Sequence, residues 1–249
     1  MCRHLGYLGP AVAVSEPVLR GEHSLYRQSW APRDMRAGGT INADGFGVAW
    51  WRTDGSVSNY RNPMPIWTDP AVGDVLSQIE ATAVVAAVRS ATVGMPVDRG
   101  ACAPFTAGRW AFSHNGVVPN WRTTLGQLAT SLSPAHLLEL EAPTDSAALW
   151  LQLRARLTQE RRGSDWVAGE LAEFAGSVVA AAPDARLNIL LSDGETLWAT
   201  TYYHSLSLLS DDASVVLSSE PYDRDPNWQP VGDRRIVTAV PGHVCIEAF

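Results

Sequence analysis

The chain offers little for a disulfide framework or a zinc site. Its 249 residues include three cysteines, Cys2, Cys102 and Cys245, an odd count with no C-x-x-C pair. No stretch approaches the roughly 18 apolar residues from which a membrane-spanning helix starts; runs such as AVVAAV are strand-sized. The first residues lack a basic segment followed by an apolar core, so no secretory leader is expected and a cytoplasmic protein is. Basic side chains are outnumbered, 19 against 26 acidic, for a formal net charge of -7. Such a surface repels phosphate backbones and anionic lipid, which excludes nucleic acid and membrane as natural partners. Internal repeats and low-complexity linkers are also missing. The expectation is a single domain over residues 1–249. Hydrophobic residues make up 46% and charged residues 18%, an ordinary globular balance.

Short segments rich in β-branched and aromatic residues predict strands: CRHLGYLG, FGVAWW, VVAAVRS, WAFSHNGVV, RLNILLSD, TLWATTYY, SLSLLSD, SVVLSSEP, RRIVTAV and HVCIEAF. Asp193-Gly194 between two of them reads as a hairpin turn. Helical spacing appears in DPAVGDVLSQIEA, in TDSAALWLQLRARLTQERR with Leu149, Leu153 and Leu157 on one face, and in DWVAGELAEFAGSVVAAA with Val167, Leu171, Phe174 and Val178 on another. Pro183 stops the last. APRDMRAGGT reads as a surface loop. Strands, then two long helices, then strands again predict an α+β protein with stacked antiparallel sheets and helices outside.

Four stretches carry chemistry. If Met1 is removed, Cys2 holds a thiol and a free α-amine on one residue. The amine, which ordinarily titrates at about 7.7–8.0, can take the thiol proton, so nucleophile and base come together. SHNGVV offers the Asn115 side-chain amide and the Gly116 backbone N–H to a developing oxyanion, or else an Asn-Gly hairpin turn. Arg89, leaving an apolar strand, requires either an internal carboxylate or a ligand carboxylate. Asp145 in PTDSAALW either serves the helix N-terminus or holds a substrate ammonium. His4 and His114 flank the proposed centre as orienting or packed histidines, and Asn42 and Asp44 of NADGFG either brace it or build a turn.

The order of these motifs, N-terminal Cys, NADGFG, RSAT, HNG and TDS, resembles the class II glutamine amidotransferases, which are N-terminal-nucleophile hydrolases. The resemblance implies a four-layer αββα sandwich. It implies Cys2 as nucleophile, Asn115 and Gly116 as oxyanion hole, and Arg89 and Asp145 as the grip on the glutamyl α-carboxylate and α-ammonium, with Thr92 near the carboxylate. Ser90 and Val93 stand where many relatives have Trp and His, so the glutamyl pocket is differently shaped.

A narrower set of motifs, MCRHLGYLG, NADGFG, VRSATVGMP, APFTAGRWAFSHNG, ARLNILLSDG and SSEPYDRDPNW, resembles the γ-glutamyl-hercynylcysteine sulfoxide hydrolases of ergothioneine biosynthesis. That implies a small-molecule γ-glutamyl substrate cleaved through a Cys2 thioester, with no metal and no organic cofactor. Nothing in the composition opposes a homo-oligomer. The leaving group carries a trimethylammonium, which favours aromatic faces or carboxylates. Among 10 Trp, Trp30, with Tyr222 and Trp228 and with Glu220 or Asp223, is the expected distal pocket. Two other readings stay open: the glutaminase subunit of an ammonia-using synthase, and a γ-glutamyl-binding scaffold without turnover.

Overall fold

The computed structural model describes residues 2–36, 41–157 and 163–249. Met1, the end of the APRDMRAGGT loop and the end of the expected LTQERR helical stretch lie outside the described residues. The strands are β1 Arg3–Ala13, β2 Phe46–Trp51, β3 Val57–Asn62, β4 Glu80–Val88, β5 Phe105–Ala107, β6 Trp110–Val117, β7 Arg186–Ser192, β8 Leu197–Thr201, β9 Ser207–Ser210, β10 Val215–Ser218, β11 Gln229–Pro230, β12 Arg235–Val240 and β13 His243–Ala248. The helices are α1 Glu16–Leu19, α2 Leu25–Gln28, α3 Ala71–Asp74, α4 Trp121–Leu128, α5 Pro134–Leu137, α6 Asp145–Arg156 and α7 Ser164–Ala181.

Two antiparallel sheets form, in the orders β11-β9-β10-β1-β4-β2-β3 and β13-β12-β8-β7-β6-β5. Alternation along each strand decides what goes between them. In β1, Leu5 and Tyr7 face outward into a core completed by Val18 of α1, Leu25 of α2 and Val72 of α3. Leu8 faces inward and packs with Ala83 and Val85 of β4 against Leu190 of β7 and Leu197 of β8. On the far side, Phe112, Ile189 and Leu191 pack under Leu149, Leu153, Leu171 and Phe174 of α6 and α7. Three cores separate four layers, so the expected αββα sandwich is the observed one.

The two long helices have the expected buried stripes, and α7 ends just before Pro183. The helix expected over DPAVGDVLSQIEA does not persist. Asp69 caps Ala71 N–H at 2.9 Å, the α-helix stops at Asp74, a 3₁₀ turn covers Leu76–Gln78, and β4 begins at Glu80. Val72, Leu76 and Ile79 reach the core but Val75 is exposed, and the Ile79 carbonyl accepts Val14 N–H at 2.8 Å. That bond draws the chain into the sheet before another turn can form. The Asn-Gly pair is not a turn either: Asn115 and Gly116 lie within β6, opposite Asn188 and Leu187.

Candidate active site

Antiparallel pairing fixes which chain ends meet. Arg3 of β1 lies opposite Val88 of β4, so Cys2, one residue earlier, lies beside Arg89 and Ser90. Its sulfur is 3.7 Å from the Ser90 carbonyl oxygen, which accepts the thiol. Cys2 is half-buried and free. By alternation its side chain shares the inward face with Leu8.

The loop after β4 is held from two sides. Gly45, at φ +114, makes the turn before β2 and sits where a side chain would meet the Cys102 sulfur at 2.4 Å, so only glycine fits. That turn aims the Asp44 carboxylate at Ala91 N–H, 2.7 Å away. Arg89 donates through Nη1 to the Pro96 and Asp44 carbonyls at 2.9 and 3.3 Å. Among the described residues no carboxylate pairs with it, which leaves the rest of its guanidinium fork for a ligand carboxylate. Thr92 is exposed, its carbonyl closes a turn with Met95 N–H at 2.9 Å, and its side chain makes no hydrogen bond among the described residues.

Across the gap between the sheets, β6 lies over β1 and β4. Asn115 is 1% exposed, yet neither its amide nitrogen nor its oxygen has a hydrogen-bond partner. A buried amide left unspent is costly, and it is what an oxyanion donor awaiting substrate looks like. The Gly116 N–H is unspent for a different reason. Leu187 N–H turns away from β6 to the Tyr202 carbonyl at 3.0 Å, so Gly116 and Leu187 are a non-hydrogen-bonded pair whose backbone groups point apart. On its other side, β5 pairs with β6 only as far as Phe112. A side chain at 116 would overlap the Arg186 carbonyl oxygen at 1.8 Å.

Asp145 is the first residue of α6. Thr144, not Asp145, caps that helix, its hydroxyl accepting Ala147 N–H at 3.2 Å. Asp145 instead reaches out of the helix: Oδ2 accepts Val118 N–H at 2.9 Å and Oδ1 accepts Ser146 N–H at 2.8 Å. It thus ties the end of β6, two residues past Gly116, to the helix. His114 completes the tie. Its Nε2 donates to the Arg186 carbonyl at 2.9 Å, so its Nδ1 accepts the Ser146 hydroxyl at 3.0 Å. Burial holds its pKa below the usual value, opposed by the Asp145 charge. His4 is fully buried, neither ring nitrogen has a partner, and burial with nearby His114 and His204 pushes it down to about 3. His114 is thus a hydrogen-bonded orienting group and His4 a packed one. Asn42 is buried, its backbone N–H donating to the Ser29 carbonyl at 2.6 Å.

Cys2, Arg89, Asn115, Gly116 and Asp145 therefore share one end of the sandwich, while among the described residues the aromatics of the expected distal pocket fall into two separate ring clusters. Tyr222 is 1% exposed. Its hydroxyl accepts from Arg20 at 3.1 Å, the Arg20 guanidinium lies over its ring at 5.6 Å, and Trp228 abuts it edge-on. With a cation already on the ring and solvent excluded, Tyr222 is a core residue of the outer layer. Trp30 is at the surface with Tyr26 and Trp67. The carboxylates proposed beside them are spent: Glu220 pairs with buried Arg3 at 2.8 Å and accepts Arg33 N–H at 2.7 Å, and Asp223 accepts Trp228 Nε1 at 2.8 Å. Aromatic composition could not say which rings lie on a binding face.

Sequence reasoning passed over three residues at this end. Asn188, opposite Asn115, accepts Tyr202 and His204 N–H and donates to the His204 carbonyl. Arg186 and Tyr203 stack, the guanidinium 4.7 Å from the ring centre. An Arg opening an apolar strand gave no signal beyond a polar strand edge.

The described residues hold no group of His, Cys, Asp and Glu suited to a metal ion, and none of their helices is long and apolar enough to cross a membrane. A family model of class II glutamine amidotransferases matches residues 22–224. The γ-glutamyl-hercynylcysteine sulfoxide hydrolase of Mycobacterium tuberculosis H37Rv is 41% identical over 250 residues, covering 100% of this chain and 97% of that one. That of Mycolicibacterium smegmatis is 37% identical, covering 99% of each. Among solved structures, a glutamine aminotransferase class-II domain protein from Silicibacter pomeroyi superimposes with a TM-score of 0.68 at 22% identity, over 99% of both chains. The glutamine phosphoribosylpyrophosphate amidotransferase of B. subtilis gives 0.64 at 13% identity, over 99% of this chain and 49% of that one. These last two speak for the fold.

Proposed function

The chain belongs to the class II glutamine amidotransferases, and on that footing we propose that it is an amidohydrolase that cleaves the γ-glutamyl amide of γ-glutamyl-hercynylcysteine S-oxide. The products are glutamate and hercynylcysteine S-oxide, a step of ergothioneine biosynthesis. The substrate is assigned from the two mycobacterial relatives, whose likeness runs the full chain. The observation that carries the chemistry is Asn115, a buried amide with no partner at the end of the sandwich that holds Cys2.

In the proposed cycle Met1 is absent and the Cys2 α-amine takes the thiol proton. The sulfur attacks the γ-carbonyl carbon, and the oxygen takes up negative charge between Asn115 Nδ2 and Gly116 N–H. Collapse breaks the C–N bond; the proton held by the α-amine goes to the departing nitrogen, and a Cys2 thioester remains. Water, deprotonated by the same amine, attacks the thioester and frees glutamate and the thiol. Arg89 takes the α-carboxylate of the glutamyl group and Asp145 its ammonium, with Thr92 at the margin. Every proton is returned, so the cycle calls for no cofactor. A thiol working alone suits a reducing compartment, and the cytoplasm is the proposed location.

The test is glutamate release by the purified protein alone, with γ-glutamyl-hercynylcysteine S-oxide and glutamine in parallel. Strong release from the first and little from the second is expected. Release from glutamine alone would replace this reading with a glutaminase that feeds a synthase. Ligand binding with no turnover of either would return it to a binding scaffold.

A further inference from the structure

We propose that Arg186, its guanidinium carbon 4.7 Å over the ring of Tyr203, binds the carboxylate carried by the leaving group. The inference rests on the γ-glutamyl reading above and concerns the half of the substrate that Arg89 and Asp145 do not reach.

Strand order gives the direction. In one sheet β1 lies between β4 and β10, and in the other β7 lies between β6 and β8. Arg89 after β4, proposed for the glutamyl carboxylate, and the proposed oxyanion donors Asn115 and Gly116 on β6 lie on one side of Cys2. A carbonyl seated on Cys2 with its acyl chain toward Arg89 sends its nitrogen the other way, toward β7, β8 and the end of β10. Arg186 opens β7 and Tyr203 follows β8. Arg186 is also adjacent to the proposed oxyanion donors through strand pairing, since it lies opposite Val117 and its carbonyl oxygen is the atom against which Gly116 packs.

Arg186 is set up for an anion. By alternation it lies on the same face of β7 as Asn188, the inward one. Among the described residues it has no carboxylate partner, and its side chain makes no hydrogen bond to them. Nearby Arg3 and Arg36 are engaged by Glu220 and Asp34. The chain contains no lysine, all 19 basic residues being Arg, so any Lys/Arg-type cation that an anionic leaving group meets is a guanidinium. The platform beneath it is fixed at unusual cost. Tyr203 has φ +89, a left-handed backbone that a non-glycine residue rarely adopts. Three contacts hold it there: its N–H donates to Asp233 Oδ1 at 2.8 Å, its carbonyl accepts Arg36 Nη1 at 2.7 Å, and its ring meets His204 edge-on. His204 is itself pinned by Asn188. A strained, over-held aromatic that presents an unpaired guanidinium beside an oxyanion hole is a pattern expected of a binding device. The amine released from a γ-glutamyl amino acid bears its own α-carboxylate one carbon from the departing nitrogen, which suits a group next to Gly116. Ammonia, released from glutamine, bears nothing for Arg186 to hold.

Steady-state kinetics on Arg186→Gln, Arg186→Lys and Tyr203→Ala test this with four substrates: the S-oxide, glutamine, γ-glutamyl-alanine and γ-glutamyl-alaninamide. Loss of a charge-assisted pair predicts that Arg186→Gln raises KM for the S-oxide about 10–100-fold, with kcat changed far less. The shift for glutamine should be at least tenfold smaller, and Arg186→Lys should restore part of the loss. The unmodified protein should prefer γ-glutamyl-alanine to its amide, and Arg186→Gln should erase that preference. Equal effects on S-oxide and glutamine, or no preference for the free carboxylate in the unmodified protein, would overturn the subsite; the latter needs no variant to fold. Cleavage of γ-glutamyl-alanine but not of the S-oxide would remove the proposed substrate and leave the subsite to be judged on the alanine pair. Turnover of glutamine alone would remove both.

Discussion

The two ends of the sandwich treat their polar groups in opposite ways. The end away from Cys2 carries a groove of about 730 Å³ lined by Trp50, Trp51, Arg52, Glu80 and Arg109, among others. Its principal donors are spent: Trp51 Nε1 donates to the Arg109 carbonyl at 2.7 Å, and Arg109 pairs with Asp193 and Glu195. At the Cys2 end the buried Asn115 amide and His4 ring have no hydrogen-bond partner among the described residues, and Arg89 and Arg186 pair with no carboxylate among them. Volume costs a fold little at its surface, whereas an unsatisfied buried amide costs about 1–3 kcal/mol. Among the described residues Asn115 alone leaves both polar atoms of a buried amide without a partner, and a ligand is the natural candidate to return that energy. Unspent polarity, more than size, marks the site.

The largest expected effect is at Cys2. Cys2→Ala should lower glutamate release by three orders of magnitude or more, on the order of what losing a nucleophile costs, with the melting temperature unchanged. Retention of Met1, read by intact mass, should do the same, because it removes the free amine. Residual turnover within tenfold of the parent in either case would break the assignment of nucleophile and base.

Next is a pair of asparagines at one register position. Asn115→Ala should cost about 10²–10³ in kcat and leave stability unchanged or slightly raised, since it removes an unsatisfied group. Asn188→Ala should do the reverse and destabilise by about 2–4 kcal/mol, because it strands the backbone groups of Tyr202 and His204. Denaturant melts and kinetics on both separate the cases. A large stability loss at Asn115 would mean its amide is spent after all. Gly116→Ala should lose about 2–3 kcal/mol or more, because its methyl would overlap the Arg186 carbonyl oxygen at 1.8 Å and His114 Nε2 at 2.5 Å.

These asparagines also mark what a sequence can disclose. Strand and long-helix positions were legible because apolar periodicity is local, and FGVAWW and RLNILLS begin where expected. Cys2, Arg89, Asn115, Gly116 and Asp145 were legible as an ordered set of motifs. What Asn-Gly means was not, since strand interior and hairpin turn share the dipeptide and only pairing with β7 decides between them. The short α3 failed for a similar reason, a single long-range bond from Val14 overriding helical spacing. Tyr222 and Trp30 misled because an aromatic count carries no direction. Arg186 and Tyr203 left no local trace, since what sets them apart is a missing partner and a backbone angle.

Buried neutral histidines give a smaller, graded effect. His4 and His204 both lie at about 3 in the fold, burial being the main cause, against 6.5 when free. The unfolded chain therefore binds more protons below 6.5. Stability is full above that pH and declines as pH falls toward about 3, by up to roughly 1.4 kcal/mol per pH unit for each such histidine. Denaturation at pH 7, 6, 5 and 4 should trace this slope, and His4→Gln should flatten it by as much as one proton. A flat profile in the parent would mean that the histidines take up protons in place, and that the Cys2 end is wetter than its unspent groups imply.

The smallest expected effect falls at the opposite end, and it is the control on the contrast between them. Arg109→Ala breaks half-exposed ion pairs worth about 1 kcal/mol at most, and the backbone carbonyl that holds Trp51 is retained. Melting should drop by a few degrees and glutamate release should stay within twofold. If Arg109→Ala instead cut kcat/KM tenfold, the groove would be joined to the chemistry through β6, which begins one residue after Arg109 and carries the proposed oxyanion donors near its end. A shift of that strand along its own axis would be the physical link, because the same residues that pair Ala111 with Ser192 at one end pair Asn115 with Asn188 at the other.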